Sequence, residues 1–149
     1  IANPSSKEIV DKINSTIKGR DFWMPFAPSI MQEKIDEYII DNKKSDFSYM
    51  TFTSNSLLKA KKDFIAALHP ADNTMRIQSV SKNKSPNFHR LLEKFYNISG
   101  IPGVLNTSLN IHGKPIVKNP IDIVNELIKV SKVSIDYIII DKYIFKLKK

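Results

Sequence analysis

Apolar residues recur at helical spacing in four stretches of the chain. Residues 5–17 read as a helix. Ser5-Ser6-Lys7-Glu8 fits a capping box, Ile9, Val10, Ile13 and Ile17 form a stripe, and Gly19 marks the stop. Residues 31–40 place Ile35, Tyr38 and Ile39 on one side of a second helix. The clearest helix has Ser85 at its N-cap, Pro86 at N1 and its end at Gly100; Phe88, Leu91, Leu92, Phe95 and Tyr96 supply the buried stripe. Asn119-Pro120 caps the last helix, with Ile121, Val124, Leu127 and Ile128 inside.

Other stretches have strand character. Phe22–Ile30 is the most apolar and aromatic segment, and Pro25 and Pro28 exclude an interior helix, so an edge strand or buried loop is expected. Asp41–Asp46 is a polar loop, Phe47–Thr53 has strand composition, and Ser54–Asp63 reads as a short basic helix or loop. Phe64–Leu68 is expected to be a buried strand that ends at His69, before the turn Pro70-Ala71-Asp72-Asn73. Thr74–Val80 then alternates, with Arg76 and Gln78 on one face and Met75 and Ile77 on the other. The two runs together predict a β-hairpin whose rim carries His69, Asp72, Thr74 and Arg76. Pro102–Leu105 is a further buried strand, and Asp136–Ile140 and Tyr143–Leu147 are the last two. Interleaved helices and strands with a hairpin predict an α/β chain, a mixed open sheet covered by helices.

Composition narrows the class. One domain is the expectation for 149 residues, and 42% hydrophobic with 26% charged residues is ordinary for a globular protein. No cysteine is present, which excludes disulfides and thiolate metal sites and suits a cytoplasmic chain. No signal peptide is visible, and the longest apolar run, near Ile138–Ile140, is too short for a membrane span. The net charge of +8 predicts an anionic partner, part of it being a solvated tail of Lys142, Lys146, Lys148 and Lys149. The chain starts at Ile1 without Met and reads as a piece of a longer protein.

Candidate chemistry concentrates at Asn106-Thr107-Ser108-Leu109-Asn110, followed by Gly113-Lys114-Pro115. Amides and hydroxyls at a strand end can hold a phosphate or carbonyl without adding charge; a polar surface turn is the more frequent outcome on spacing alone. Lys18-Gly19-Arg20, if extended, would point two cations to one face roughly 7 Å apart, an anion clamp. The alternative there is a solvated helix terminus. Arg76 is a phosphate candidate or an ion-pair partner of Asp72, and Ser29 could reach a ligand. His69, His89 and His112 lack metal-like spacing, and His89 is expected at the surface. Neither a Walker A loop nor a GxGxxG is present, so a nucleotide site would use side chains from several elements.

Four segments in order carry a resemblance. They are Ile13-Asn14 leading to Lys18-Gly19-Arg20, then Phe22-Trp23-Met24-Pro25-Phe26-Ala27-Pro28-Ser29, then His69 to Gln78, and Asn106-Thr107-Ser108-Leu109-Asn110 with Gly113-Lys114-Pro115-Ile116-Val117. The chain resembles the C-terminal domain of carbamoyltransferases of the NodU/nebramycin O-carbamoyltransferase type. The resemblance implies a YrdC-like fold, a twisted α/β open sheet, over residues 1–149. It implies formation of carbamoyl adenylate from carbamoyl phosphate and ATP, with Mg²⁺. The carbamoyl group would then pass to a small-molecule hydroxyl acceptor on an N-terminal Kae1-like domain absent from this chain. By the family's motifs, Lys18, Arg20 and Arg76 would be the catalytic cations. Ser108 and Asn110 would orient the phosphates, and Ser29, His69, Asp72 and Thr74 would line the pocket. Asn73 stands where the family usually has Gly, Leu109 where Phe is commoner and Lys114 where Glu is commoner. Two other readings compete: a basic RNA-binding module of the same fold, disfavoured because no basic run is interleaved with aromatics, and a non-catalytic support domain.

Overall fold

The computed structural model describes residues 1–21, 23–40, 45–128 and 135–147. Phe22, most of the loop expected over Asp41–Asp46, the side chain of Leu127 and the last two lysines lie outside the described residues. The chain divides into two compact units, Ile1–Lys7 with Phe22–Thr107, and Glu8–Asp21 with Ser108–Lys149. Its class is mixed α/β with small open sheets. Among the described residues no helix is long and apolar enough to cross a membrane.

The first unit is built on three strands, β1 (Ala27–Met31), β5 (Gln78–Val80) and β6 (Gly103–Asn106), in the order β5-β1-β6. β1 runs parallel to β5, with Ser29 opposite Gln78 and Met31 opposite Val80. It runs antiparallel to β6, from Ala27 opposite Asn106 to Ile30 opposite Gly103. The segment expected at an edge is therefore the central strand, buried throughout. Pro28 is tolerated there because the parallel ladder begins only at Ser29, so its missing amide falls before the first rung. Gly103 explains how closely β6 approaches: a Cβ there would lie 2.4 Å from the Ser29 carbonyl oxygen. Ala2 adds a rung to the far side of β6, its amide and carbonyl both bonded to Leu105.

Helix α3 (Pro86–Ser99) starts at Pro86, with Ser85 at the N-cap position, and ends at Gly100 (φ 74°), as its punctuation predicts. Leu92 packs with Met31, Val80 and Val104, and Phe88, Phe95 and Tyr96 seal the edges. Burying a side chain such as Leu92 contributes roughly 1.5–3 kcal/mol. Leu91 is turned outward, and His89, expected at the surface, is buried with Nε2 2.8 Å from Glu33 Oε1. The carboxylate gives the ring a polar partner, which makes its burial tolerable.

Met31, Val80 and Val104 share one face of the sheet with Ala27, Ser29, Gln78 and Asn106, because alternate residues point the same way and paired residues match. That face is apolar where α3 covers it and polar at its other end.

A second sheet joins β2 (Ile39–Ile40), β3 (Ser54–Ser56) and β4 (Thr74–Met75). The predicted hairpin does not form. Phe64–Leu68 holds a 3-10 turn over Ile65–Ala67, where two alanines lack strand propensity, and β4 pairs with β3 while β5 joins β1. The chain crosses from one sheet to the other at Arg76-Ile77. Phe47–Thr53 is likewise not a strand: Asp46 caps Ser48 to start a 3-10 turn and Met50 turns left-handed. The helix expected over 31–40 is a 3-10 helix, Gln32–Glu37, and Ile35, Tyr38 and Ile39 are all buried. The short basic element is α2 (Leu58–Asp63).

In the second unit, α1 (Lys7–Ile13) widens into a π-helical turn, Asn14–Lys18, that ends at Gly19. The capping box is not used, since Ser5 bonds Asn3 through both its amide and its hydroxyl. Asn119 caps α4 (Pro120–Asp122) by accepting from the Asp122 amide, and a π-helical turn continues over Ile123–Ile128. Ile121 and Val124 are exposed, and Ile123 is buried instead, because the wide turn rotates the face. β7 (Tyr137–Ile140) and β8 (Tyr143–Lys146) form an antiparallel hairpin.

Candidate functional site

The second unit brings together Lys18, Ser108 and Asn110. Lys18-Gly19-Arg20 is not extended: Lys18 closes the π-helical turn, and Gly19 turns left-handed (φ 50°) with its amide on Asn14 O. Lys18 is thereby aimed inward and is 3% exposed, while Arg20 is half-buried. The Lys18 ammonium lies 2.6 Å from Ser108 O, 2.7 Å from Asn110 Oδ1, 3.0 Å from Asn110 O and 3.2 Å from Ser108 Oγ. Three N–H donors thus meet four oxygens, all neutral.

The loop carrying those oxygens has its own frame. Ser108 Oγ donates to Asn110 Oδ1 at 2.6 Å, and Asn110 Nδ2 donates to Lys114 O at 2.7 Å. Gly113 (φ 74°) supplies the left-handed turn, the His112 amide reaches Ile17 O, and the Val117 amide closes on Leu109 O. The loop is therefore tied both to itself and to the turn that delivers Lys18.

Burial, and secondarily the Arg20 charge, lowers the Lys18 pKa to about 8. Among the described residues no carboxylate ion-pairs with Lys18. Among the described residues the desolvated ammonium thus meets only neutral oxygens, with a guanidinium near enough to repel it. With its three N–H donors committed to those oxygens, Lys18 would act on a nearby anion through its charge. Lys114 is exposed.

The remaining candidates lie in the first unit. Asp72 Oδ1 accepts from the Thr74 amide (2.9 Å) and hydroxyl (2.8 Å), which hold its carboxyl below the usual carboxylate range. His69 Nδ1 accepts from the Ala71 amide, and Asn73 sits at φ 56° where Gly is commoner. These bonds close the turn. Arg76 is exposed, and Asp72 Oδ1 is engaged by the Thr74 amide and hydroxyl; among the described residues no ion pair joins Asp72 to Arg76. Ser29 is fully buried and donates to Gln78 Oε1 at 2.7 Å; Asn106 Nδ2 donates to the same oxygen at 3.1 Å. Gln78 was not among the expected site residues. Its alternation with Ile77 was a visible signal, but only the pairing of β5 with β1 sets it against Ser29.

Residues 1–147 match the sequence family described as Carbamoyltransferase C-terminus. The chain is 31% identical to Nodulation protein NolO of Bradyrhizobium diazoefficiens, over 82% of the chain and 22% of that protein. It is 29% identical to Nodulation protein NolNO of Sinorhizobium fredii, over 98% of the chain and 21% of the relative. An uncharacterized protein of Methanocaldococcus jannaschii is 36% identical over 99% of the chain and 23% of its own length. The chain thus spans about a fifth to a quarter of these relatives. The match runs through the Lys18 loop, the Asp72 turn and the Ser29 cluster alike, and the chain belongs to the carbamoyltransferase C-terminal family.

Proposed function

We propose that this domain, on a YrdC-like framework, forms carbamoyl adenylate from carbamoyl phosphate and ATP within a longer O-carbamoyltransferase. The observation that carries the reading is the buried Lys18 ammonium, surrounded by neutral oxygens and backed by Arg20. A phosphate or carboxylate-like anion supplies the charge this arrangement lacks.

Water first cleaves the bond between the carbamoyl group and phosphate in carbamoyl phosphate, giving carbamate, inorganic phosphate and a proton, and a carbamate oxygen then attacks the α-phosphorus of ATP. The new O–P bond forms as the bond to pyrophosphate breaks, and pyrophosphate departs. Negative charge converges in this step, so fixed cations and oriented dipoles lower its barrier more than acid–base chemistry would. Lys18 contributes a charge held in place by its oxygen cage, and Arg20 a planar fork suited to phosphate. Ser108 and Asn110 fix the loop and offer neutral hydrogen bonds. Arg76, exposed on the first unit, is a separate proposed cation, and Arg76→Ala in the full-length protein is expected to slow carbamoyl transfer; an unchanged rate would remove it from the reading. Among the described residues no three His, Cys, Asp or Glu side chains form a metal-binding group. The described donors therefore do not build a Mg²⁺ cage, and the ion would arrive on the ATP phosphates with its waters. The carbamoyl group then passes to a hydroxyl acceptor on an N-terminal Kae1-like domain in the cytoplasm.

The test is carbamoyl phosphate-dependent ATP–pyrophosphate exchange by the full-length protein. Lys18→Met and Arg20→Gln are each expected to lower the rate by about 100-fold or more, the scale of one lost electrostatic contact. Exchange at the wild-type rate in Lys18→Met would remove the assigned site, and wild-type protein without exchange would remove the reaction.

A further inference from the structure

We infer that Ser108 and Lys18 form a nucleophile–base pair that takes an acyl group onto the Ser108 hydroxyl, with Asn110 as the residue that positions the base. This is a second activity of the second unit. It does not rest on the adenylation reading, because it uses the other protonation state of Lys18 and needs no ATP.

The pair lies wholly within the second unit. Ser108 is exposed and Lys18 is buried, so a reactant can approach the serine while the amine behind it stays shielded. Lys18 Nζ stands 3.2 Å from Ser108 Oγ, within the reach of a base for its nucleophile. A third group orients the base: Asn110 accepts from it on Oδ1 at 2.7 Å and on its backbone carbonyl at 3.0 Å. Asn110 is itself held through Nδ2, which donates to Lys114 O. An accessible hydroxyl, an amine and an orienting group in this order make up an activated serine on unrelated folds. Ser15 marks the contrast. It is exposed in the same unit, but its hydroxyl donates to the Lys12 carbonyl, and among the described residues no amine is bonded to it.

Counting hydrogens shows which oxygen the base activates. As an ammonium, Lys18 offers its N–H groups to Ser108 O, Asn110 Oδ1, Asn110 O and Ser108 Oγ. As a neutral amine it keeps two N–H groups and gains a lone pair. The two N–H groups serve the nearest oxygens, Ser108 O at 2.6 Å and Asn110 Oδ1 at 2.7 Å. The lone pair needs a donor, and of the four oxygens only Ser108 Oγ carries a hydrogen. In the charged state that hydroxyl donates to Asn110 Oδ1 at 2.6 Å; in the neutral state it turns to Lys18 Nζ. Burial, followed by the Arg20 charge, sets the change between the two states at about pH 8. Arg20 belongs to the turn that carries Lys18. The loop facing Lys18 presents neutral oxygens, and its titratable side chains, His112 and Lys114, are not among the causes of the shift.

Ser108 Oγ attacks the carbonyl carbon of an acyl donor as its proton passes to Lys18 Nζ. The Oγ–C bond forms, the bond from that carbon to the leaving group breaks, and the leaving group departs with the electron pair. Lys18 is then an ammonium beside Arg20, so the donors favoured are those whose leaving group departs as an anion, activated esters and acyl phosphates among them. Once the ammonium has given its proton to solvent, water cleaves the acyl-serine with Lys18 again as base. The products are the free acid and the Ser108 hydroxyl.

The probe is p-nitrophenyl acetate, added to the full-length protein and quenched within the first turnover. Acetyl groups are mapped to single residues by mass spectrometry, with Ser15 as the internal control. Ser108 is expected to be acetylated at least about 100-fold faster than Ser15, the lower end of what a positioned base supplies. Its rate should rise about tenfold between pH 7 and pH 9 and then level, following the neutral fraction of a group with a pKa of about 8. Lys18→Arg stays charged and should lose the excess over Ser15. Asn110→Asp sets a carboxylate against the ammonium and should move the midpoint upward. A purely structural role would not move the midpoint, and this variant keeps the inference testable where Lys18→Arg does not fold. Ser108 acetylated no faster than Ser15, a rate that rises without levelling, or a midpoint unmoved in Asn110→Asp would overturn the inference. Carbamoyl phosphate-dependent ATP–pyrophosphate exchange is read on the same protein. Its absence with Ser108 acetylated removes the adenylation reading alone, and its presence without that acetylation removes this pair alone.

Discussion

The Lys18 ammonium sets the alkaline limit of the proposed chemistry. Burial is the larger cause of its lowered pKa, followed by the Arg20 charge, and together they bring it to about 8. The charged form is the one that binds an anion. With that pKa about nine-tenths of the sites are charged at pH 7 and about one-tenth at pH 9. The kcat/KM for carbamoyl phosphate should therefore fall about tenfold between those pH values. The free enzyme's pKa governs kcat/KM, whereas kcat follows the complex. A bound polyanion stabilises the ammonium, so the kcat limb should lie above the kcat/KM limb.

Three variants of the full-length protein separate Lys18 from other groups that titrate here. Lys18→Arg stays charged and should lose the limb. Arg20→Gln removes the smaller cause and should move the limb upward without restoring 10.5, the ordinary lysine value. Lys18→Met should be slow at every pH. Stability has the opposite sign. The unfolded chain holds this proton to the ordinary lysine range while the folded chain gives it up near 8, so unfolding between those values takes up a proton. The stability difference between wild type and Lys18→Met should thus shift in favour of wild type as pH rises through that window. A limb near pH 8 that persists unchanged in Lys18→Arg would refute the reasoning, since arginine does not titrate there.

Two further predictions concern the scaffold. Gly103→Ala would place a methyl 2.4 Å from Ser29 O and 3.0 Å from Phe64 Cζ, and a backbone atom cannot step aside cheaply. A loss of about 1–3 kcal/mol is expected, read as roughly 5- to 150-fold faster hydrogen exchange at Val104 and Leu105 in the full-length protein; unchanged exchange would show that β6 can move off β1. Tyr38 is fully buried, its ring edge-on to Phe64 at 4.9 Å and its hydroxyl 2.9 Å from Asp63 Oδ2, and burial followed by that bond holds the phenol proton far more tightly than usual. Tyr38→Phe strands the carboxylate and should destabilise by about 1–3 kcal/mol in urea unfolding. The loss should shrink in an Asp63→Leu background, and strict additivity would argue against the pair.

Local punctuation was legible in the sequence wherever one residue decides the backbone. Gly19, Gly100 and Gly113 all adopt positive φ, Asn119 caps through its side chain, and Pro86 opens α3. Asn73, standing where Gly is commoner, tolerates φ 56° as asparagine can. Strand partners were not legible. Thr74–Val80 alternates as a single strand, yet β4 and β5 belong to different sheets, because period-two alternation fixes which way residues face and says nothing about which strand lies beside them. His89 was missed for a related reason: its burial depends on Glu33, 56 positions away.

The same limit governs the site. Lys18, Ser108 and Asn110 were each visible as polar groups beside a glycine, but on spacing alone each was better explained as a solvated terminus or a surface turn. What changes that account is one set of contacts between segments 90 residues apart. An ammonium aimed at carbonyls rather than solvent loses hydration that neutral oxygens replace only in part, and no local preference produces such a contact. The turn that makes it is itself irregular: Ile17 and Lys18 are consecutive and both buried, which the wide π-helical turn and the left-handed Gly19 allow. Irregular backbone and a desolvated charge coincide at one residue. Each opposes folding by itself, and their coincidence at Lys18 is what the proposed binding function explains and a surface turn does not.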